Sequence, residues 1–385
     1  MLILAGTAVF LLISPAKVFQ IVNQAMVLSA KLTEADPYPD IENQQPLPNP
    51  PEIIKAVYAT NWSMSNNKKI KYLIDLIDTT ELNAIVVDVK DYTGIVPYKN
   101  DINSVNKYNA WERRILEPNK LIKTLHDHGI YVIGRISVFQ DLQLAKARPD
   151  LALISSSTSA IWQDNKGLAW MDAAAEEVWD YNVVIAKDIL ARGFDEVNFD
   201  YIRFASDGDL NDIKHPYWDE KTLKTTVLKE FFKYLRENLP NAKLSADLFG
   251  LATIDTKGVG IGQHLEHTLP YFDVVAPMVY PSHYFKGFQG YQNPAEHPYE
   301  IVKYSMDEAI RRTNQFMIYA STTPIMAKFR PWLQDFDLGG NYGPEEIKSQ
   351  IRAWTDAAAN NPELNGGWML WNAGNIYTKD ALENE

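Results

Sequence analysis

Three aspartates stand near the ends of short β-rich runs: Asp88 in Ala84 to Asp91 (AIVVDVKD), Asp200 in Glu196 to Phe204 (EVNFDYIRF) and Asp247 in Leu244 to Gly250 (LSADLFG). Side chains alternate faces along a strand, so residues two apart look the same way. Asn198 and Asp200 therefore share a face, as do Ser245 and Asp247, Asp88 and Lys90, Arg135 and Ser137, and Met278 and Tyr280. In the last run, Gly366 to Ala373 (GGWMLWNA), either Trp371 or Asn372 faces inward, depending on register. If those faces meet, aspartates, a lysine, an arginine and a tyrosine crowd one place. Such a cluster is costly to bury unless its members pair.

Hydrolysis of a glycosidic bond calls for this equipment: one protonated carboxyl to assist the leaving oxygen, and a second carboxylate as nucleophile or base. Asp200 is the expected nucleophile or base and Asp247 the acid/base, with Asp88 in reserve for the second role. Close packing raises the pKa of one carboxyl, while Arg203 or Arg135 can hold the other ionised. The candidate substrate contacts are Lys90, Arg135, Asn198, Arg203, Tyr280, His283, Trp371 and Trp62.

Elements able to bring these ends together follow from the patterning. Eight β-rich runs start at Ala56, Ala84, Tyr131, Glu196, Leu244, Val274, Phe316 and Gly366, the seventh being Phe316 to Thr322 (FMIYAST). Helix-like segments separate them near 65–78, 118–128, 176–192, 220–238, 262–270, 298–312 and 344–358. Eight strand-helix units predict an α/β fold of the (β/α)8 TIM-barrel type. No GxGxxG follows the first run, which disfavours a dinucleotide-binding doubly wound sheet. Segments entering the strands are short. Those leaving them are long, so the expected site lies at the strand C-terminal ends. The long loops carry Trp162, Trp170, Tyr284, Phe285, Phe288, Tyr291, Trp332, Phe336 and Tyr342, whose rings could stack on sugars.

The 385 residues carry a formal charge of −12, which disfavours nucleic acid as a partner, and contain no cysteine, which removes thiolate chemistry. No metal site is expected: His264 and His267 share a helix face without a third ligand, and no HExxH occurs. No cofactor motif is present, and a serine hydrolase would need a G-x-S-x-G elbow. Residues 2–13 (LILAGTAVFLLI) are apolar and too few for an ordinary membrane span. Residues 1–30 are therefore read as a signal peptide or membrane anchor. Residues 31–52, with six prolines between 37 and 51, form a linker, and 53–385 form the barrel domain. The expected setting is extracytoplasmic, secreted or anchored, with a polysaccharide or oligosaccharide substrate. A glycan-binding barrel without catalysis is the alternative reading.

The segments GFDEVNFDYIR (193–203), VVDVKDYTGIVPY (86–98), APMVY (276–280) and GGWMLWN (366–372) resemble the putative glycosyl hydrolase domain family of bacterial barrel proteins, over roughly 53–375. The resemblance implies a TIM-barrel glycosidase fold, often behind a secretion or anchoring segment. The same segments are similar to chitinase-like barrels, but Ile202 stands where that family has its catalytic Glu, and Pro281 where it has an Asp. Trp371 matches that family's sugar-stacking tryptophan. The α-amylase-like barrels, with an Asp nucleophile at the end of strand four, are the nearer mechanistic analogy, although their arginine two residues earlier is Asn198 here.

Overall fold

The computed structural model describes residues 36–319 and 327–384. Asp40–Glu385 make one compact unit, and the described part of the preceding unit, residues 36–39, carries no helix or strand. The expected leader, 1–30, lies outside the described residues. Among the described residues no helix is long and apolar enough to cross a membrane.

Eight parallel strands close into a barrel: β1 (Ile54–Ala59), β2 (Ala84–Lys90), β3 (Tyr131–Ser137), β4 (Glu196–Asp200), β5 (Leu244–Phe249), β6 (Val274–Met278), β7 in two pieces (Lys328–Phe329 and Trp332–Gln334) and β8 (Gly367–Trp371). Closure comes through β7, which pairs with β6 at Trp332↔Met278 and with β8 at Trp332↔Met369. Helices α1 (Asn67–Ile77), α2 (Pro118–Asp127), α3 (Glu176–Arg192), α4 (Lys224–Asn238), α5 (Leu265–Thr268), α6 (Pro298–Tyr319) and α7 (Pro344–Ala358) follow the first seven strands in turn. The apolar stripe of α4, Val227, Leu228, Phe231, Phe232 and Leu235, recurs at helical spacing and is buried against the sheet. Asn66 starts α1, its side chain accepting from the Lys68 and Lys69 amides.

The seventh strand is not where the sequence places it. Phe316–Tyr319 are the last turn of α6, with Ile318 and Tyr319 exposed, and residues 320–322 lie outside the described residues. The run FMIYA is apolar enough for a strand, but a short apolar stretch does not separate strand from helix end. The true strand is hidden by Arg330-Pro331, which splits it in two.

Two layers of core result. Outside the barrel, strand and helix residues form one continuous apolar cluster. Inside it, Ile54, Ala56, Ala84, Val86, Ile133, Ala276 and Met369 fill the middle, and the bidentate ion pair of Arg330 with Glu196 (2.9 and 3.2 Å) is buried among them. Residues from Asp40 onward are docked, where a free spacer was expected. Asp40 accepts from the Asn119 and Lys120 amides at the start of α2, and the Gln44 amide donates to Arg192 O (3.1 Å). The Leu47 amide donates to Asp195 (2.6 Å), and its side chain packs on the barrel interior. Gly193, which ends α3 at φ +104°, is doubly required, because a Cβ there would stand 2.7 Å from Gln44 O.

Candidate active site

Register brings the polar ends together. Asp88, Arg135, Asn198 and Ser245 lie in one row across four neighbouring strands, and Asp200 and Asp247 stand one step further along their strands. All are buried or nearly so. The network they form centres on Arg135. Its Nη1 donates to Asp88 Oδ1 (2.5 Å), its Nη2 donates to Asp200 Oδ2, and its Nε lies 3.8 Å from Asp247 Oδ2. Its guanidinium sits over the Tyr58 and Trp371 rings, which stack on each other at 3.9 Å. One cation thus faces three carboxyl groups, which leaves excess negative charge for a proton to neutralise.

That proton belongs on Asp247. Burial and the neighbouring Asp200 charge push its pKa up to about 8, against the opposing pull of Arg135 and of hydrogen bonds from Asn198 and Trp332. Its Oδ1 accepts from Asn198 Nδ2 and Trp332 Nε1, both at 2.8 Å. Among the described residues Oδ2 has no hydrogen-bond partner, with Arg135 Nε 3.8 Å away, and it is the oxygen free to carry a proton. Asp200 differs in kind: its Oδ2 is bound to Arg135, and its Oδ1 accepts from the Tyr201 amide (2.5 Å). Tyr201 holds a positive φ of 52°, a strained turn that lets the chain fold its own amide back onto that carboxylate.

Above the pair opens a cavity of about 500 Å³. Arg135, Asp200 and Asp247 are at its base, with Tyr280 just beyond β6, Trp332 from β7 and Trp371 from β8 along one side. Tyr201, Arg203, Lys166 and Phe249 line the other, and Tyr284 and His283 stand nearby. Among the described residues the buried Tyr280 hydroxyl has no partner, a donor waiting for an acceptor. Burial pushes its pKa upward, aided by Asp247 and Asp200. His283, at the rim, has its pKa lowered by desolvation and bonds Ser282 Oγ through Nδ1 (3.0 Å).

Several expected contacts lie elsewhere. Lys90 is completely buried and paired with Asp141 (2.6 Å), because a bulge at Asp88/Lys90 aligns it with outward-facing Ile136. Trp62 is 61% exposed, stacked on Arg114 at 4.4 Å, and does not line the cavity. Asp88 has both oxygens engaged, by Tyr58 OH (2.5 Å) and Arg135, and also stays outside the lining. Asn198 donates to Asp247 and Ser245 and so fixes the Asp247 carboxyl in place. Of the loop aromatics, Trp162, Trp170, Phe288 and Tyr342 are buried in loop packing and are not available to a sugar. Sequence reasoning missed Tyr58, Tyr201 and Lys166, gave Phe249 no role although parity sets it on the face of Asp247, and saw Trp332 only as a loop ring. Had the seventh strand been placed at 328–334, parity would have pointed Trp332 inward with Arg330. Among the described residues, no group of three or more histidines and carboxylates is arranged to hold a metal ion.

The model of the family described as "Putative glycosyl hydrolase domain" matches residues 56–377, the whole barrel. The chain belongs to this family. Among solved structures, a hypothetical protein from Ruminiclostridium thermocellum is 37% identical over 50% of this chain and 96% of its own, with a TM-score of 0.46. The glycoside hydrolase domain of PgaB (BpsB) from Bordetella bronchiseptica superimposes with a TM-score of 0.59 at 13% identity, over 86% of this chain and 99% of that domain. Alpha-L-fucosidase isoenzyme 2 from Paenibacillus thiaminolyticus gives 0.54 at 12% identity, over 86% of this chain and 48% of its own. At such identities the likeness establishes that this member of the family has the TIM-barrel fold. No curated protein matches the chain.

Proposed function

We propose that the protein is a glycoside hydrolase that cleaves an extracellular or cell-envelope polysaccharide with Asp247 as general acid and Asp200 as the second carboxylate. The observation that carries this is the unequal pair at the cavity base: two carboxyl groups served by one guanidinium, one held protonated by burial and the other bound by Arg135 and an amide. Asp247 Oδ2 gives its proton to the leaving oxygen. Asp200 attacks the anomeric carbon or activates the water that does. Positive charge developing on the sugar ring is met by the Asp200 carboxylate. The unpartnered Tyr280 hydroxyl is placed to bind a sugar oxygen. Export rests on the apolar run 2–13 and belongs to the same proposal.

The test is hydrolysis of a polysaccharide panel by wild type, Asp200→Asn and Asp247→Asn. Both variants are expected to lose at least about a hundredfold in kcat. Wild type that binds a glycan and never cleaves it would leave a carbohydrate-binding barrel instead, and full activity in Asp200→Asn would exclude the mechanism.

A further inference from the structure

Arg203 stands three residues beyond Asp200 and is 9% exposed, with its guanidinium enclosed by the rings of Trp170 (4.6 Å), Phe249 (4.8 Å) and Tyr201 (5.4 Å). Among the described residues only its Nη1 is used, donating to Phe204 O (3.1 Å) and Ser206 Oγ (2.9 Å). Among the described residues the other buried arginines each have a carboxylate: Arg135 has Asp88 and Asp200, Arg330 has Glu196 and Arg312 has Glu266. Among the described residues, no carboxylate lies within ion-pair distance of Arg203, although it lines the cavity. Burial lowers its pKa, against the opposing pull of Tyr201 and of the more distant Asp200, Asp164 and Asp207.

A second cation faces the same space. Lys166, in the loop after β3, lines the cavity, and its side chain likewise forms no ion pair among the described residues. At the base, Arg135 is already matched to carboxylates, and Asp247 is held neutral. Arg203 and Lys166 are thus the two cations of the lining that form no ion pair among the described residues, in a chain whose overall charge is −12. Sugar hydroxyls could fill the free N–H positions of Arg203 but would leave its charge unmet. A carboxylate meets both needs, because its two oxygens fit the planar fork of a guanidinium.

We infer that the cavity takes a glycan whose sugar carries a carboxylate, a hexuronic acid, bound through that group to Arg203 with Lys166 in support, beside the Asp200–Asp247 pair. This rests on the glycosidase reading and names its substrate class.

The test is calorimetric titration of the Asp247→Asn protein with hexasaccharides of galacturonate, glucuronate and mannuronate, each beside its carboxyl-reduced neutral counterpart, at about 150 mM salt. At least one acidic hexasaccharide is expected to bind about tenfold or more tighter than its reduced form. Arg203→Met, which keeps the stem between the rings, should bring that ratio close to one. Arg203→Lys should leave an intermediate ratio, and the exposed Lys166→Met, which carries little folding risk, should lower it a few-fold. Reduced forms binding as tightly as the acids, or an unchanged ratio in folded Arg203→Met or in Lys166→Met, would overturn the inference. Acid hexasaccharides that bind but are never cleaved by wild type leave the subsite standing and refute the hydrolase. Cleavage of neutral glycans with equal kinetics by wild type and Arg203→Met does the reverse.

Discussion

Asp247→Asn is the most informative perturbation, because the same buried proton serves folding and chemistry in opposite ways. A carboxyl raised from about 4 in the unfolded chain to about 8 in the fold binds more protons folded than unfolded between those values. Stability therefore falls as pH rises through that window and does not recover above it. Four units at about 1.4 kcal/mol each set a ceiling of roughly 6 kcal/mol on this penalty. Asparagine removes the titration while its carbonyl oxygen still accepts from Asn198 and Trp332. The new amide group, however, sits near Arg135 Nε, where the acid's Oδ2 was 3.8 Å away, and gives back part of the gain. The expected net effect is about 1 to 3 kcal/mol of added stability at pH 8 to 9, shrinking to nothing near pH 4. Thermal melts of both proteins across that range measure it. In activity the variant should lose about a hundredfold to ten-thousandfold on a sugar leaving group and far less on an aryl glycoside, whose leaving oxygen needs no proton. A variant less stable than wild type by the same amount at every pH, or one equally impaired on both substrates, would refute the assignment of the proton to Asp247.

For wild type, kcat/KM should decline as pH rises through about 8, where Asp247 loses its proton, a profile measurable on any cleaved substrate. Trp332→Phe deletes the indole donor that lowers the Asp247 pKa, so this alkaline limb should move to higher pH, with about 1 kcal/mol lost in urea unfolding. Arg135→Met leaves Asp88 and Asp200 buried without their cation; it should cost about 3 to 5 kcal/mol at neutral pH and less at pH 4, judged by denaturant titration at both. Gly193→Ala sets a methyl group against Gln44 O at a positive φ, and should cost about 1 to 3 kcal/mol and expose residues 40–47 to protease.

The sequence by itself determined the barrel and the acidic pair. Seven helical segments and seven of eight strands fall where periodicity puts them, because an amphipathic helix and a buried parallel strand each imprint their own spacing on the chain. Parity along β4 and β5 was enough to set Asp200 and Asp247 on inward faces of adjacent strands. Tertiary structure decided what parity cannot carry. A one-residue bulge sent Lys90 outward to Asp141, since one extra residue reverses every later side chain. The apolar end of α6 passed for a strand, while the real β7, short and interrupted by Pro331, delivered Trp332 to Asp247. The inequality within the pair was likewise not local. It follows from one guanidinium, contributed by β3, lying against three carboxyl groups from β2, β4 and β5, and charge balance among groups so distant in the chain exists only once the barrel has closed.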